Sequence, residues 1–303
     1  MRLLAPLTAR AHALRAALGL CTVLCTVLCT ALALSSACTP QPATEARTEQ
    51  APSPSTAPAP TSQAAPTNSL ATPSELPEIE GVHYLEVLTG GAEAGDTLPM
   101  IVAIHGLGDS PEGFASLLAN FDQPARVILP RGLDPQPPGW SWFPLRARDP
   151  DVDTLAEGIA AATDTLAPAI AALAELRPTR GRPIVTGFSQ GGMLAFTMAV
   201  RHGDLISAAF PVGGWLAPPL MPGPDVDPST LPPIHAFHGD ADKAVQYAPT
   251  LEAVEALRAA GIEVELSTYE GVGHAIPAPM HADLSAALRA QVRLLAQANP
   301  ETN

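Results

Sequence analysis

The chain has 303 residues, 47% of them apolar, and its acidic residues outnumber the basic ones 30 to 16 for a formal charge of −14. That length supports a sizeable core in one or two domains, while the acidic balance disfavours nucleic acid and anionic membrane surfaces as partners, since both reward clusters of Lys and Arg. All four cysteines, Cys21, Cys25, Cys29 and Cys38, lie early, so nothing after them forms a disulfide or a thiolate metal site.

Arg2, Arg10 and Arg15 precede an uncharged stretch from Ala16 to Ala37. A basic flank, an apolar middle and the small residues Ser35, Ser36 and Ala37 read as a secretory signal peptide over residues 1–37. The stretch is 22 residues long, also enough to span a bilayer as a helix, so an uncleaved anchor is the competing reading. Leu34-Ser35-Ser36-Ala37-Cys38 resembles the lipobox of bacterial lipoproteins, with Leu one place further upstream than usual. The resemblance implies lipidation of Cys38; against it, Cys38 is one more cysteine after the CTVLCTVLCT repeat at 21–30. Residues 38–77 are rich in Pro, Ala, Ser and Thr, too poor in apolar surface to offset their ordering entropy, and are expected to form a disordered linker. The chain is therefore expected to be exported to the periplasm or cell envelope. Any membrane attachment would run through a lipid on Cys38, and otherwise the protein would be secreted.

From residue 78 to 303 the texture is that of one catalytic body. Val82–Leu88 alternates as a strand does, and Met100–Ile104 is a fully apolar run of the kind found in buried parallel strands. Val127–Leu129 is another strand, stopped by Pro130. Apolar residues at helical spacing follow over Asp153–Leu176, with a kink expected at Pro168. Ile184–Phe188 reads as a strand and Met193–Arg201 as the helix after it. Ala208–Val212, Ile234–Phe237 and Val264–Tyr269 are further strands. Thr250–Ala260 is a helix closed by Gly261, and Leu284–Ala296 is the last helix. Strand and helix alternate throughout, which predicts an α/β fold: a mostly parallel central sheet with helices on both faces. Ligands of such sheets bind beyond the carboxyl ends of the strands.

Polar motifs stand at four of those ends. Gly187-Phe188-Ser189-Gln190-Gly191 lies between a strand and a helix, the setting of a nucleophile elbow, whose serine sits in a sharp turn with its hydroxyl exposed. His238-Gly239-Asp240-Ala241-Asp242 offers two carboxylates able to hold a catalytic histidine's tautomer. Asp242 is preferred, because Asp240 is close enough to the strand end to serve the turn itself. His274 follows Gly271-Val272-Gly273, while His281, at the start of the last helix, is worse placed to reach the sheet's end. His105-Gly106-Leu107-Gly108-Asp109 follows the Met100–Ile104 strand. Its glycines let the backbone approach a substrate carbonyl whose developing charge needs amide donors, one from this loop and one from Gln190, next after the serine.

HGLGD at 105–109, GFSQGG at 187–192, HGDADKAV at 238–245 and GVGH at 271–274 together resemble the phospholipase/carboxylesterase branch of the α/β-hydrolases, which includes the acyl-protein thioesterases. The order Ser, Asp, His agrees with that fold. The resemblance covers residues 98–295 and implies Ser189 as nucleophile, Asp242 and His274 as its partners, and the amides of Leu107 and Gln190 as the oxyanion hole. It also implies small-molecule esters or thioesters as substrates, with no metal or organic cofactor. The chain departs from the family at Pro144, where members commonly carry Asp after an aromatic pair. Trp142, Phe143 and Trp215 are candidates for a substrate pocket, and ordinary packing of a Pro-rich loop is the competing explanation for Trp142 and Phe143.

These residues predict a serine carboxylesterase acting on small to medium carboxylic or thio-esters through an acyl-serine intermediate. An exported peptidase or polyester depolymerase on the same fold is the alternative enzyme. A non-catalytic binding lipoprotein is the alternative outside enzymes.

Overall fold

The computed structural model describes residues 76–144 and 146–298. The signal segment, Cys38 and the 38–77 linker except for its last two residues lie outside the described residues.

In chain order the elements are β1 (Glu78–Ile79), β2 (Val82–Thr89), β3 (Met100–Ile104), α1 (Pro111–Ala115) and β4 (Ala125–Pro130). A small hairpin, β5 (Asp134–Gln136) with β6 (Gly139–Ser141), precedes the long helix α2 (Val152–Leu176). Then come β7 (Ile184–Phe188), α3 (Gln190–Arg201), β8 (Ala208–Val212), β9 (Ile234–Gly239), α4 (Tyr247–Ala259), β10 (Val264–Tyr269) and α5 (Ala278–Gln297). Eight strands form one sheet in the order β1-β2-β4-β3-β7-β8-β9-β10. Pairing is parallel from β4 through β10, and antiparallel where β2 meets β4 and β1.

Strand period explains how the layers assemble. Successive side chains of a strand point to opposite faces, so Met100, Val102 and Ile104 of β3 join the core formed with α2, α3 and α4. Ile101 and Ala103 join the core beneath α1 and α5. With both faces covered, β3 must be apolar at every position, and all five of its residues are buried.

On α2, Leu155, Ile159, Leu166, Ile170 and Leu173 are buried at spacings of three, four and seven, each contributing on the order of 1.5–3 kcal/mol of apolar burial. Asp151 caps the helix by accepting the Thr154 amide at 3.0 Å. The helix runs unbroken through Pro168, which lies on its exposed side, where water can take the carbonyl that proline leaves unpaired. Gly261 follows α4 with φ +84°, and its amide reaches the Arg258 carbonyl at 2.9 Å, a conformation that glycine adopts without steric cost.

Because β3, β7, β9 and β10 run parallel, the segments leaving their carboxyl ends emerge along one edge of the sheet. These are residues 105–109, Ser189, 240–242 and 270–274.

Candidate active site

Ser189 stands between β7 and α3 with φ 58° and ψ −116°, a region that costs a non-glycine residue on the order of 1–3 kcal/mol. The surroundings leave it no alternative. Its amide donates to the Val212 carbonyl at 3.0 Å, and its carbonyl accepts the Met193 amide at 3.0 Å. A Cβ at Gly187 would strike the Gly191 carbonyl, and one at Gly191 would strike that of Ile104. Glycine at 187 and 191 therefore lets α3 start hard against β3 and β7, with the serine turned out between them.

His274 comes to that serine from the loop after β10. Its Nε2 lies 2.9 Å from Ser189 Oγ, and its Nδ1 lies 2.7 Å from Asp242 Oδ2. An ionised carboxylate only accepts, so Nδ1 carries the proton towards Asp242 and Nε2 is left to accept from the serine hydroxyl. The Phe188 ring stacks on the imidazole at 4.7 Å. The Asp242 side chain is 1% exposed, and its other oxygen accepts the amides of Ala244 at 2.8 Å and Val245 at 3.0 Å. Charge-assisted bonds of that kind make a buried carboxylate tolerable. His238 lies behind it, with Nε2 3.0 Å from the Val245 carbonyl; burial pushes its pKa down, so it stands neutral and donates there. Asp240 serves the turn: its Oδ1 accepts the Gly271 amide at 2.7 Å. His281 lies in α5, its Nε2 2.7 Å from the Leu117 carbonyl.

The loop after β3 closes over the serine from the other side. A Cβ at Gly106 would lie 3.3 Å from that of Ser189, so glycine sets how near this backbone comes. Gly108 takes φ +78° and donates to the Trp140 carbonyl at 2.8 Å. The Leu107 amide donates to no carbonyl or side chain among the described residues, and Gln190 opens α3 directly after the serine. Both residues line the cavity above Ser189. His105 is fully buried beneath the loop. It accepts the Gly132 amide on Nε2 at 3.0 Å, and its Nδ1 lies 2.7 Å from the Gly106 carbonyl.

The cavity measures about 310 Å³ and is lined by Leu107, Phe188, Ser189, Gln190 and His274, together with Ala244, Val245, Arg146 and Arg148 among others. All three aromatic residues expected to line it lie elsewhere. Trp142 and Phe143 are each 2% exposed and belong to the core under α2. Trp142 donates through its indole N–H to the His105 carbonyl at 3.0 Å, so it supports the loop from below and does not touch the cavity. Trp215 is 9% exposed and lines a separate small pocket with Ala147, Val245, Gln246 and Pro249. The residues missing from the sequence reading are Phe188, Ala244, Val245, Arg146 and Arg148. Phe188 lies inside the serine motif and Ala244 and Val245 inside the 238–245 motif, whereas Arg146 and Arg148 stand in no motif. No cluster of three or more metal-binding side chains occurs among the described residues.

A family model described as Phospholipase/Carboxylesterase matches residues 91–291. Acyl-protein thioesterase 1 of Gibberella zeae is 26% identical over 217 residues, covering 63% of this chain and 90% of that protein. Esterase YpfH of Escherichia coli is 28% identical over 188 residues, covering 58% of this chain and 76% of that one. Among solved structures, that of esterase PE8 aligns with a TM-score of 0.60 at 23% identity, covering 69% of this chain and 98% of PE8.

Proposed function

The chain belongs to the phospholipase/carboxylesterase family, and from that membership we propose that it is a serine esterase cleaving small to medium carboxylic esters, thioesters included. The observation that carries this reading is the unbroken hydrogen-bonded line from Asp242 through His274 to Ser189, at 2.7 and 2.9 Å. His274 Nε2 takes the hydroxyl proton as Ser189 Oγ bonds to the substrate carbonyl carbon. Negative charge moves to the carbonyl oxygen, where the amides of Leu107 and Gln190 stabilise it; one such donor is typically worth about 2.7–4 kcal/mol in the transition state. The proton passes from Nε2 to the departing alcohol or thiol, leaving an acyl-serine. Water then gives a proton to the same nitrogen as it attacks, and the acid leaves with Ser189 restored. Asp242 keeps its charge throughout and holds the imidazolium that forms twice per turnover.

The names of the relatives favour both ester and thioester substrates, and the two share every step above. Purified full-length protein is expected to hydrolyse p-nitrophenyl esters, and its Ser189→Ala variant to lose that activity while keeping the parent's circular dichroism. Turnover that survives the substitution would remove Ser189 from the mechanism. We also propose that the body is exported and tethered through a lipid on Cys38, on the strength of the signal-like segment before it. Mass spectrometry should find a mature chain starting at a lipidated Cys38; a chain still carrying residue 1 would contradict this.

A further inference from the structure

Arg146 and Arg148 line the same cavity as Ser189 and His274, and acyl transfer to a neutral ester uses neither. Both are exposed. Arg126, Arg177, Arg201 and Arg289 each hold a carboxylate, but neither Arg146 nor Arg148 has a carboxylate within 4.0 Å among the described residues. The acids nearest in chain and cavity are already engaged. Asp149, next after Arg148 in the loop, accepts the Asp151 amide at 3.0 Å. Asp109, the acidic residue lining the cavity with them, accepts the Ser110 amide at 2.8 Å. Asp242 is buried behind His274. The lining thus carries two cations against one anion, in a chain whose formal charge is −14. The amino end of α3, at Ser189, adds positive partial charge to the same space.

We propose that this esterase selects anionic esters, whose oxyanion group, separated from the scissile carbonyl by a short chain, is held by Arg146 and Arg148. The inference rests on the serine-esterase reading and adds the substrate class to it. A guanidinium presents two parallel N–H donors that match a carboxylate or phosphate edge. Unlike charge at the mouth of a cleft also raises the encounter rate with such a substrate. The short acyl or alcohol chain fits a cavity of about 310 Å³.

The test compares the mono-p-nitrophenyl ester of adipic acid with p-nitrophenyl hexanoate, its neutral equivalent in length. For the full-length protein at low salt, kcat/KM should favour the anionic ester by about tenfold, as two partly exposed ion pairs of ordinary strength allow. High salt should shrink that ratio, and the Arg146→Gln/Arg148→Gln double variant should bring it close to one. Free adipate and inorganic phosphate, compared as competitive inhibitors, tell a carboxylate site from a phosphate site. A parent ratio at or below one, or a ratio the double variant leaves unchanged, overturns the proposal while leaving the esterase reading intact. Equal turnover by Ser189→Ala would instead overturn the esterase reading. Calorimetric titration of adipate into Ser189→Ala, with and without the two arginines, then decides the anion site alone; identical affinities would reject it.

Discussion

The side chain of Gln190 ties the start of the nucleophile helix to the backbone at Trp142: Oε1 accepts the Trp142 amide at 3.0 Å, and Nε2 donates to the Phe143 carbonyl at 2.8 Å. The hairpin just before these residues is fastened to the other half of the site. Gly108 donates to the Trp140 carbonyl, Trp140 donates back to Asp109 at 2.9 Å, and the Trp142 indole donates to the His105 carbonyl. The two proposed oxyanion donors leave different strands, yet one short piece of chain holds both in place. Catalysis by fixed dipoles depends on that rigidity, because donors already aimed at the developing charge need not reorganise.

Replacing Gln190 by Leu keeps the backbone amide of residue 190 and removes the tie. The buried Trp142 amide then loses its acceptor, so unfolding free energy should fall by about 1–3 kcal/mol. The amide at 190 and the 105–109 loop should also lose their mutual alignment, lowering kcat by roughly tenfold or more with a smaller change in KM. Urea unfolding and steady-state kinetics on one preparation check both. A variant as active as the parent but less stable would confine Gln190 to packing.

Asp242→Asn separates the two carboxylates of the 238–242 segment. The asparagine oxygen can still take the Ala244 and Val245 amides, which leaves its NH2 facing His274 Nδ1. That forces the proton onto Nε2, where it can no longer accept from Ser189, so kcat should drop by about 10³–10⁴ with the fold retained. Asp240→Asn keeps an acceptor for the Gly271 amide and should leave kcat within about threefold of the parent, with a small loss of stability. Equal losses in the two variants would contradict the assignment of Asp242 as the partner of His274.

Much of this arrangement was legible in the chain because the physics behind it is local. The mainly apolar runs Met100–Ile104, Ile184–Phe188 and Ala208–Val212 coincide with β3, β7 and β8, since strands covered on both faces admit few polar residues. The strand–turn–helix setting of Ser189 follows from glycines that nothing larger can replace. Contacts between distant segments leave no such mark. The hairpin of β5 and β6 is exposed on most of its residues and shows no clear alternation. Trp142 and Phe143 fit a pocket wall and ordinary loop packing alike in the sequence, because a large aromatic beside a site has the same letters whichever way it points. The bond from Gln190 crosses 48 residues to Trp142, and Arg146 and Arg148 look like any surface arginines until the cavity beside them is known.

The buried histidines give the fold an acid limit. Burial holds the pKa of His105 below the ordinary value, against opposing effects of its bond to Gly106 and of Asp109 and Glu112. Burial does the same to His238. In the native state His105 accepts the Gly132 amide on Nε2, and a proton there would set one donor against another. The unfolded chain carries no such constraint and takes up protons near pH 6.5, the ordinary value for histidine. Between that pH and the lower native values the unfolded state binds more protons, so stability must rise with pH. The contribution is complete above about pH 6.5 and is lost as the pH falls below it, at about 1.4 kcal/mol per pH unit for each histidine that remains neutral in the fold. Urea unfolding at closely spaced pH values should therefore show a plateau above neutrality and a decline approaching about 2–3 kcal/mol per unit below it. A flat profile across that range would mean that neither imidazole is held neutral, and the support of the 105–109 loop by His105 would need another explanation.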